Sequence, residues 1–275
     1  MDYTGKVKKR LLSALALVIT FVHLIPFYIL ITTALKPKGD FSSKWVFPTE
    51  LSFQNFGAAW EKANLGNALV NTAVITFSAA FLLIILGSMA AYPLARRQTK
   101  LNKYVYMIFI SIMVIPPLTA LVPLYQLVVD IGMMNTRTIA VLNNVASFMP
   151  LTIFLYAGFI RSTVPKELEE AAKIDGASTL GIFFRVVFPL LKPITATVLI
   201  ISCVYIWNDY QFAIFFLQSE EVKTLTVAIS SFFGENANNL NLVASAAIIA
   251  MLPMTVLFLF LQRFFIAGLA AGSVK

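Results

Sequence analysis

Six apolar tracts, at 11–35, 69–94, 104–126, 139–160, 186–207 and 242–265, decide what this chain can fold into. A helix rises about 1.5 Å per residue, so about 20 residues cross a hydrocarbon core of roughly 30 Å, and every tract is long enough. Lipid offers no water to backbone N–H and C=O groups, which leaves helices and closed barrels as the only spanning structures. None of the tracts alternates as barrel strands do. The expected fold is an all-α membrane protein, one transmembrane domain over 1–275 with six transmembrane helices. Composition agrees: 12% of residues are charged and mean hydropathy is +0.83, where a soluble chain carries about 25% charged residues. Residues 1–35 also resemble a signal peptide, but the apolar stretch exceeds a signal core of about 7–15 residues. An uncleaved first helix is expected.

The basic residues sort by side. Of the 21 Lys and Arg, six (Lys36, Lys38, Lys44, Lys62, Arg137 and Lys223) fall in one alternating set of connecting segments. The other 15 fall in the opposite set and at the two ends. Basic loops stay cytoplasmic, so a multi-pass protein with both termini cytoplasmic is expected. The net charge of +8 therefore reflects topology. No basic stripe with interleaved aromatics is present, and nucleic acid is not an expected partner; membrane lipid is.

Enzyme chemistry has no foothold. No Gly-x-x-x-x-Gly-Lys-Ser/Thr loop cradles a nucleotide, and no His-Glu-x-x-His or His/Cys cluster offers metal ligands. The lone Cys203 lies within an apolar tract and reads as a packing residue. Polar residues inside the tracts are few: His23, Asn71, Asn143, Asn144 and, near the end of the fifth, Asn208 and Asp209. His23 reads as a helix–helix hydrogen-bonding residue. An ion-driven carrier would be expected to show intramembrane carboxylates or histidines in series, and inverted repeats. Prolines recur in the tracts, which suits helices that kink.

Between the fourth and fifth tracts lies a segment of another character, the loop 161–185. Pro165 followed by Glu167, Glu169 and Glu170 reads as a helix start, with acids near the positive end of the helix dipole, and Gly176 can end that helix. Capping accounts for the ends. It leaves unexplained a smooth patch of Ala171, Ala172, Gly176 and Ala177 beside the charges of Glu170, Lys173 and Asp175.

The run Glu170-Ala171-Ala172, then Gly176 and Pro189-Leu190-Leu191-Lys192-Pro193, resembles the coupling loop of permeases of ATP-binding-cassette (ABC) importers. The resemblance to the maltose-type group covers nearly the whole chain. It includes Phe53, Asn55, Phe56 and Trp60 after the first tract, Asn71 in the second, Trp207-Asn208-Asp209 ending the fifth, and a tail from Gln262-Arg263 to Gly268–Lys275. Thr72 stands where the group usually has serine. The resemblance implies a type I importer permease in a prokaryotic plasma or inner membrane, with a cytoplasmic coupling helix between helices 4 and 5. Its partners would be a second homologous permease, two ATPase subunits and an extracytoplasmic solute-binding protein. This chain would bind no cofactor and no metal, since ATP and Mg would sit on the ATPases, and it would be no enzyme.

On that resemblance the ATPase-coupling residues are Glu170, Ala171, Ala172, Asp175, Gly176 and Ala177. The last outer loop, with Glu235, Asn236, Asn238, Asn239 and Asn241, would touch the binding protein. A sugar or oligosaccharide is the expected solute; a polyol or glycerol-phosphate solute and an ion-coupled carrier are the alternatives. No substrate-binding residue is legible. Topology is directly testable: reporter fusions at Thr49, Arg97, Lys173 and Ser231 should read outside, inside, inside and outside, and an inside signal at Thr49 or Ser231 would overturn the arrangement.

Overall fold

The computed structural model describes residues 3–40, 42–235 and 240–273. The outer-loop residues Asn236, Asn238 and Asn239 lie outside the described residues. Every regular element described is a helix. Four are long and apolar enough to span a membrane alone: α1 (Tyr3–Leu35), α3 (Leu65–Arg96), α6 (Arg137–Thr163) and α12 (Leu240–Ser273), with α2 (Gln54–Lys62) following α1. Two further spans are bent pairs, so that counting each pair once gives six.

Both bends fall at prolines, whose recurrence in the tracts suits helices that kink. In the third tract, α4 (Lys100–Ile112) and α5 (Leu121–Asp130, entered through a tight turn at Pro117–Ala120) meet at 94°. Pro116 and Pro117 cause the break: neither has an N–H to continue the ladder, and each pushes the residue before it out of helical geometry. In the fifth, α8 (Thr179–Leu190) and α9 (Lys192–Trp207) meet at 76° beside Pro193. α8 also starts inside the segment read as loop 161–185, because the Ser178 hydroxyl accepts the Gly181 N–H at 3.2 Å and caps it. The connection from α6 to α8 is thus 164–178, carrying the short helix α7 (Lys166–Ile174).

Contacts divide the chain into two compact units, 1–66 with 228–252 and 67–227 with 253–275. In the first, Asn55 of the Phe-x-Asn-Phe run is buried and caps the end of α1. Its Nδ2 donates to the carbonyls of Ala34 (2.7 Å) and Lys36 (2.8 Å), and its Oδ1 accepts from Asn241 Nδ2 at 3.0 Å. Orphan carbonyls at a helix end need such donors. His23 is exposed, and its Nδ1 lies 2.7 Å from the Ile19 carbonyl of its own helix.

The second unit is built on α3 against α6. Buried Asn71 receives Arg137 Nε at 2.7 Å and donates to the carbonyls of Glu221 and Lys223, tying α3, α6 and the loop after the short helix α10 (Ala213–Phe216). Thr72 accepts the Leu225 N–H at 2.9 Å, which starts α11 (Leu225–Glu235); a serine hydroxyl could do the same. Asp209 caps the following turn through the Phe212 N–H at 3.0 Å.

Towards the other end of α3, small residues let the helices touch. A Cβ on Gly87 would lie 2.4 Å from Thr152 Cγ2 of α6, inside any permitted contact. Gly87 also ends a wide π-type turn at Leu83–Gly87, and beyond it Ala91 packs on buried Ile153, Tyr156 and Ile160. Gly87→Ala should lower thermal stability in detergent by about 1–3 kcal/mol, the usual cost of overpacking. Adding Thr152→Ser, which removes the opposing methyl, should restore most of the loss; no rescue would show that the contact is not the constraint.

Candidate functional site

α7 projects from the end of the α3–α6 pair, and one guanidinium fixes it there. Arg96 is the last residue of α3. Its Nε and Nη2 each lie 2.7 Å from Glu169 Oε1 on α7, and these two side chains are only 11% and 13% exposed. The same guanidinium donates to the carbonyls of Ile160 (3.0 Å) and Val164 (2.7 Å), at the end of α6. Tyr92, one turn back on α3, donates its hydroxyl to Glu169 Oε2 at 2.8 Å. Arg161 of α6 returns the favour, donating to the Leu94 carbonyl of α3 at 2.8 Å and lying 4.4 Å over the Tyr106 ring of α4. Each helix end therefore carries an arginine that caps its neighbour, as the negative end of a helix dipole favours.

The sequence reading placed Glu167, Glu169 and Glu170 together as dipole-satisfying acids. Glu167 and Glu169 do stand in the first turn, but Glu169 faces inward and is the anchor. Ala172, three residues on, shares that inner face and packs against the α3–α6 core. Opposite them, Glu170 and Ala171 are exposed; Lys173 and Asp175, on the flanks, are exposed too, and so is Ala177 just beyond. Ile174, which sequence reasoning passed over, is 86% exposed, an unusual position for so large an aliphatic side chain. Its signal was its place: in Ala171-Ala172-Lys173-Ile174 it is the one bulky apolar residue among small and charged ones.

Gly176 ends α7 with φ +81°, in the left-handed region. The Ala177 N–H bonds to the Ala172 carbonyl (3.0 Å) and the Gly176 N–H to that of Lys173 (3.1 Å), the paired pattern of a Schellman stop. Glycine is thus demanded by the backbone. Among the described residues, nothing beyond its two chain neighbours lies within 4 Å of where its Cβ would stand, so the surface there is open. Beyond it, Phe183 of α8 clusters with Tyr92, Phe184 and Phe188 at centroid distances of 4.9–5.8 Å, seating α8 against α3. A groove of about 640 Å³ opens here, with Arg97, Lys166, Glu170, Lys173 and Leu180 on its walls. Among the described residues no cluster of His, Cys, Asp and Glu could hold a metal. Of the outer-loop residues, Glu235 ends α11, and Asn241 is turned to Asn55.

Removing one partner of a largely buried, doubly bonded ion pair costs about 2–4 kcal/mol. Glu169→Gln should cost that much thermal stability and raise proteolytic cleavage within 164–178; Arg96→Ala should cost more, since the Glu169 carboxylate and the carbonyls of Ile160 and Val164 all lose their donor. Unchanged cleavage in Glu169→Gln would mean that α7 is held by something else.

Residues 83–270 match the family described as "Binding-protein-dependent transport system inner membrane component". The chain is 67% identical over 266 residues to the melibiose/raffinose/stachyose import permease protein MelC of Bacillus subtilis, covering 97% of this chain and 96% of that protein. It is 33% identical to the probable starch degradation products transport system permease protein AmyC of Thermoanaerobacterium thermosulfurigenes, covering 98% of each. A crystal structure of a bacterial ABC transporter that imports the acidic polysaccharide alginate contains a chain of the same fold, with a TM-score of 0.83, 20% identity, and coverage of 96% of this chain and 99% of that one. A second, of the alginate transporter with a pentasaccharide-bound periplasmic protein, superposes with a TM-score of 0.68 at 16% identity over 96% of each chain. With its spans, its anchored surface helix and these relatives, the chain belongs to the binding-protein-dependent transport system inner membrane components, the permeases of ABC importers.

Proposed function

We propose that this chain is the permease subunit through which an oligosaccharide crosses the membrane, with melibiose, raffinose and stachyose as the sugars to test first. The identity of 67% to a permease named for those three sugars, held over nearly the full length of both chains, carries the substrate class. The geometry of α7 carries the mechanism. Its inner face is pinned by Glu169 to Arg96, and its outer face presents Glu170, Ala171 and Ile174 to a partner.

That partner is a pair of separately encoded ATPase subunits on the cytoplasmic side, where both termini also lie. Ile174 fills an apolar socket on the ATPase, and Glu170 meets a basic residue beside it. ATP and Mg are bound by those subunits; this chain breaks no covalent bond and holds no cofactor. When the ATPases close and reopen, α7 is moved as one piece, because its charge pair and the Schellman stop leave it little freedom of its own. The displacement enters α3 and α6 at their ends through Arg96 and the carbonyls that it holds. A second homologous permease completes the pathway. An extracytoplasmic binding protein delivers the sugar, with the segment carrying Glu235, Asn236, Asn238, Asn239 and Asn241 as its contact on this chain. Amides there can replace hydrogen bonds that the sugar gives up.

In membranes reconstituted with both permeases, the ATPases and the binding protein, Ile174→Asp and Glu170→Lys should each reduce raffinose uptake by about tenfold or more, the effect of losing roughly 1.4 kcal/mol of contact. Both variants should still insert and keep the thermal stability of the parent, since neither side chain packs within the chain. ATPase subunits should co-purify less with each. Wild-type uptake by Ile174→Asp would remove α7 as the docking element; uptake of none of the three sugars by the unmodified transporter would remove the substrate assignment alone.

A further inference from the structure

The polypeptide that leaves α1 comes back to it. Tyr28, Thr32 and Lys36 are spaced four apart and so form one stripe along the helix. Each reaches a carbonyl of the segment that follows, Thr32 Oγ1 lying also 3.0 Å from the Ile29 carbonyl of its own helix. Tyr28 Oη donates to Trp45 O at 2.9 Å, and Thr32 Oγ1 lies 2.9 Å from Lys44 O. Lys36 Nζ donates to Ser42 O and Ser43 O, both at 2.9 Å, and to Ser42 Oγ at 2.5 Å. Asp40, 3.9 Å away, balances that ammonium, which is only 6% exposed. The Ser52 N–H then bonds to the Leu35 carbonyl at 2.8 Å, bringing the chain back to the helix end.

These contacts fix a depth. A threonine hydroxyl reaches only a short way from its helix, so the Lys44 carbonyl is level with Thr32, three residues or about 4.5 Å before the end of α1. Trp45 is held by Tyr28, a further turn back. The apolar span Lys8–Leu35 has 28 residues, about 42 Å of helix for a core of roughly 30 Å, so a residue at this level lies at the boundary between headgroups and hydrocarbon. Here the turn exposes Trp45 (60%), Val46 (53%) and Phe47 (51%) together. Exposed backbone is not tolerated at that level in lipid unless it is satisfied from within. The carbonyls of Ser42, Ser43 and Trp45 have donors from the stripe, that of Lys44 lies 2.9 Å from the Thr32 hydroxyl, and the Val46 N–H bonds to Ser43 O at 2.9 Å. Tryptophan suits this level, and Lys44 beside it can extend its ammonium to the headgroups.

We propose that residues 42–51 form a dip into the membrane boundary that seats Trp45, Val46 and Phe47 in lipid, and that Tyr28, Thr32 and Lys36 are the clamp that holds it there. Lipid is the occupant because Tyr28 holds Trp45 at the end of the apolar window of α1 that the chain leaves unburied, and the turn covers the helix only one turn further on, at Thr32. The dip anchors the end of α1 against vertical movement. It is independent of which sugar the transporter carries.

The test places a nitroxide at Trp45→Cys in the full chain, Cys203 being buried, in vesicles of phosphatidylcholine with phosphatidylglycerol. Collision rates with oxygen, which concentrates in lipid, and with a nickel chelate, which stays in water, report depth. Lys38→Cys serves as the water reference and Ile19→Cys as the mid-helix reference. The label at position 45 should have nickel collisions several-fold below those at 38, with an oxygen-to-nickel ratio between the two references. Thr32→Val should move that ratio towards the value at 38, and Thr32→Ser should leave it in place; Tyr28→Phe supplies the same reading should Thr32→Val fail to insert. A ratio equal to that at 38 would place the turn in water, and low collision with both reagents would place it under protein. Either overturns the proposal.

Discussion

The inner architecture of the 67–227 unit hangs on the Arg96 guanidinium. It is planar, permanently charged and supplied with several donors in a fixed fork, so it can serve a carboxylate and two helix-end carbonyls at once where a lysine could not. Without it Glu169 would be a nearly buried charge without its cation, and the last turn of α6 would lose the donors to Ile160 and Val164. Arg161 supplies the reverse link to α3. The two helices are thus joined at their ends by charge-assisted bonds, and along their length by the close contact at Gly87 and Thr152.

α7 gains definition from the same economy. Nine residues make a marginal helix in isolation. Here the first turn is fixed by Glu169, the inner face by Ala172 in the core, and the last turn by the left-handed Gly176. What remains outward includes Ile174, the most exposed of its large apolar side chains, beside charges. Few surface elements are rigid on one side and so bare on the other. That asymmetry is what a lever between two proteins requires, and the family to which the chain belongs provides the setting for it.

Asparagines recur at the helix ends with one purpose. Asn55 closes α1, Asn71 gathers Arg137 and the loop carbonyls of Glu221 and Lys223, and Asn135, at φ +55°, accepts the N–H groups of Gln218 (2.6 Å) and Ser219 (3.0 Å). A side-chain amide offers donor and acceptor without the desolvation cost of a charge, so it can satisfy irregular backbone close to the membrane. The Phe-x-Asn-Phe and Asn71-Thr72 signatures thereby acquire physical roles as joints between segments.

Six spans, their alternation of basic and less basic connections, and the surface helix between the fourth and fifth were legible in the sequence, because each depends on quantities local to a segment: apolar length, charge count, a proline before acids and a glycine after them. The exposure of Glu170, Ala171 and Ala177 was legible for the same reason, but Ala172, read as part of the same patch, turns inward to pack against the core. Glu169 was not distinguishable from Glu167 or Glu170, since its role depends on Arg96, which is 73 residues away and brought near only by the packing of α3 on α6. The bends in the third and fifth spans were marked by Pro116, Pro117 and Pro193, but a proline permits a break without setting its angle; the neighbouring helices set 94° and 76°. The exposure of Ile174 and the return of Trp45 to Tyr28 belong to the same class. Pattern and composition determined that this chain spans the membrane and carries a short surface helix between its fourth and fifth spans. Tertiary structure alone decided which charge is buried, which apolar side chain is left bare and where the chain turns back, because these follow from contacts between residues far apart in sequence.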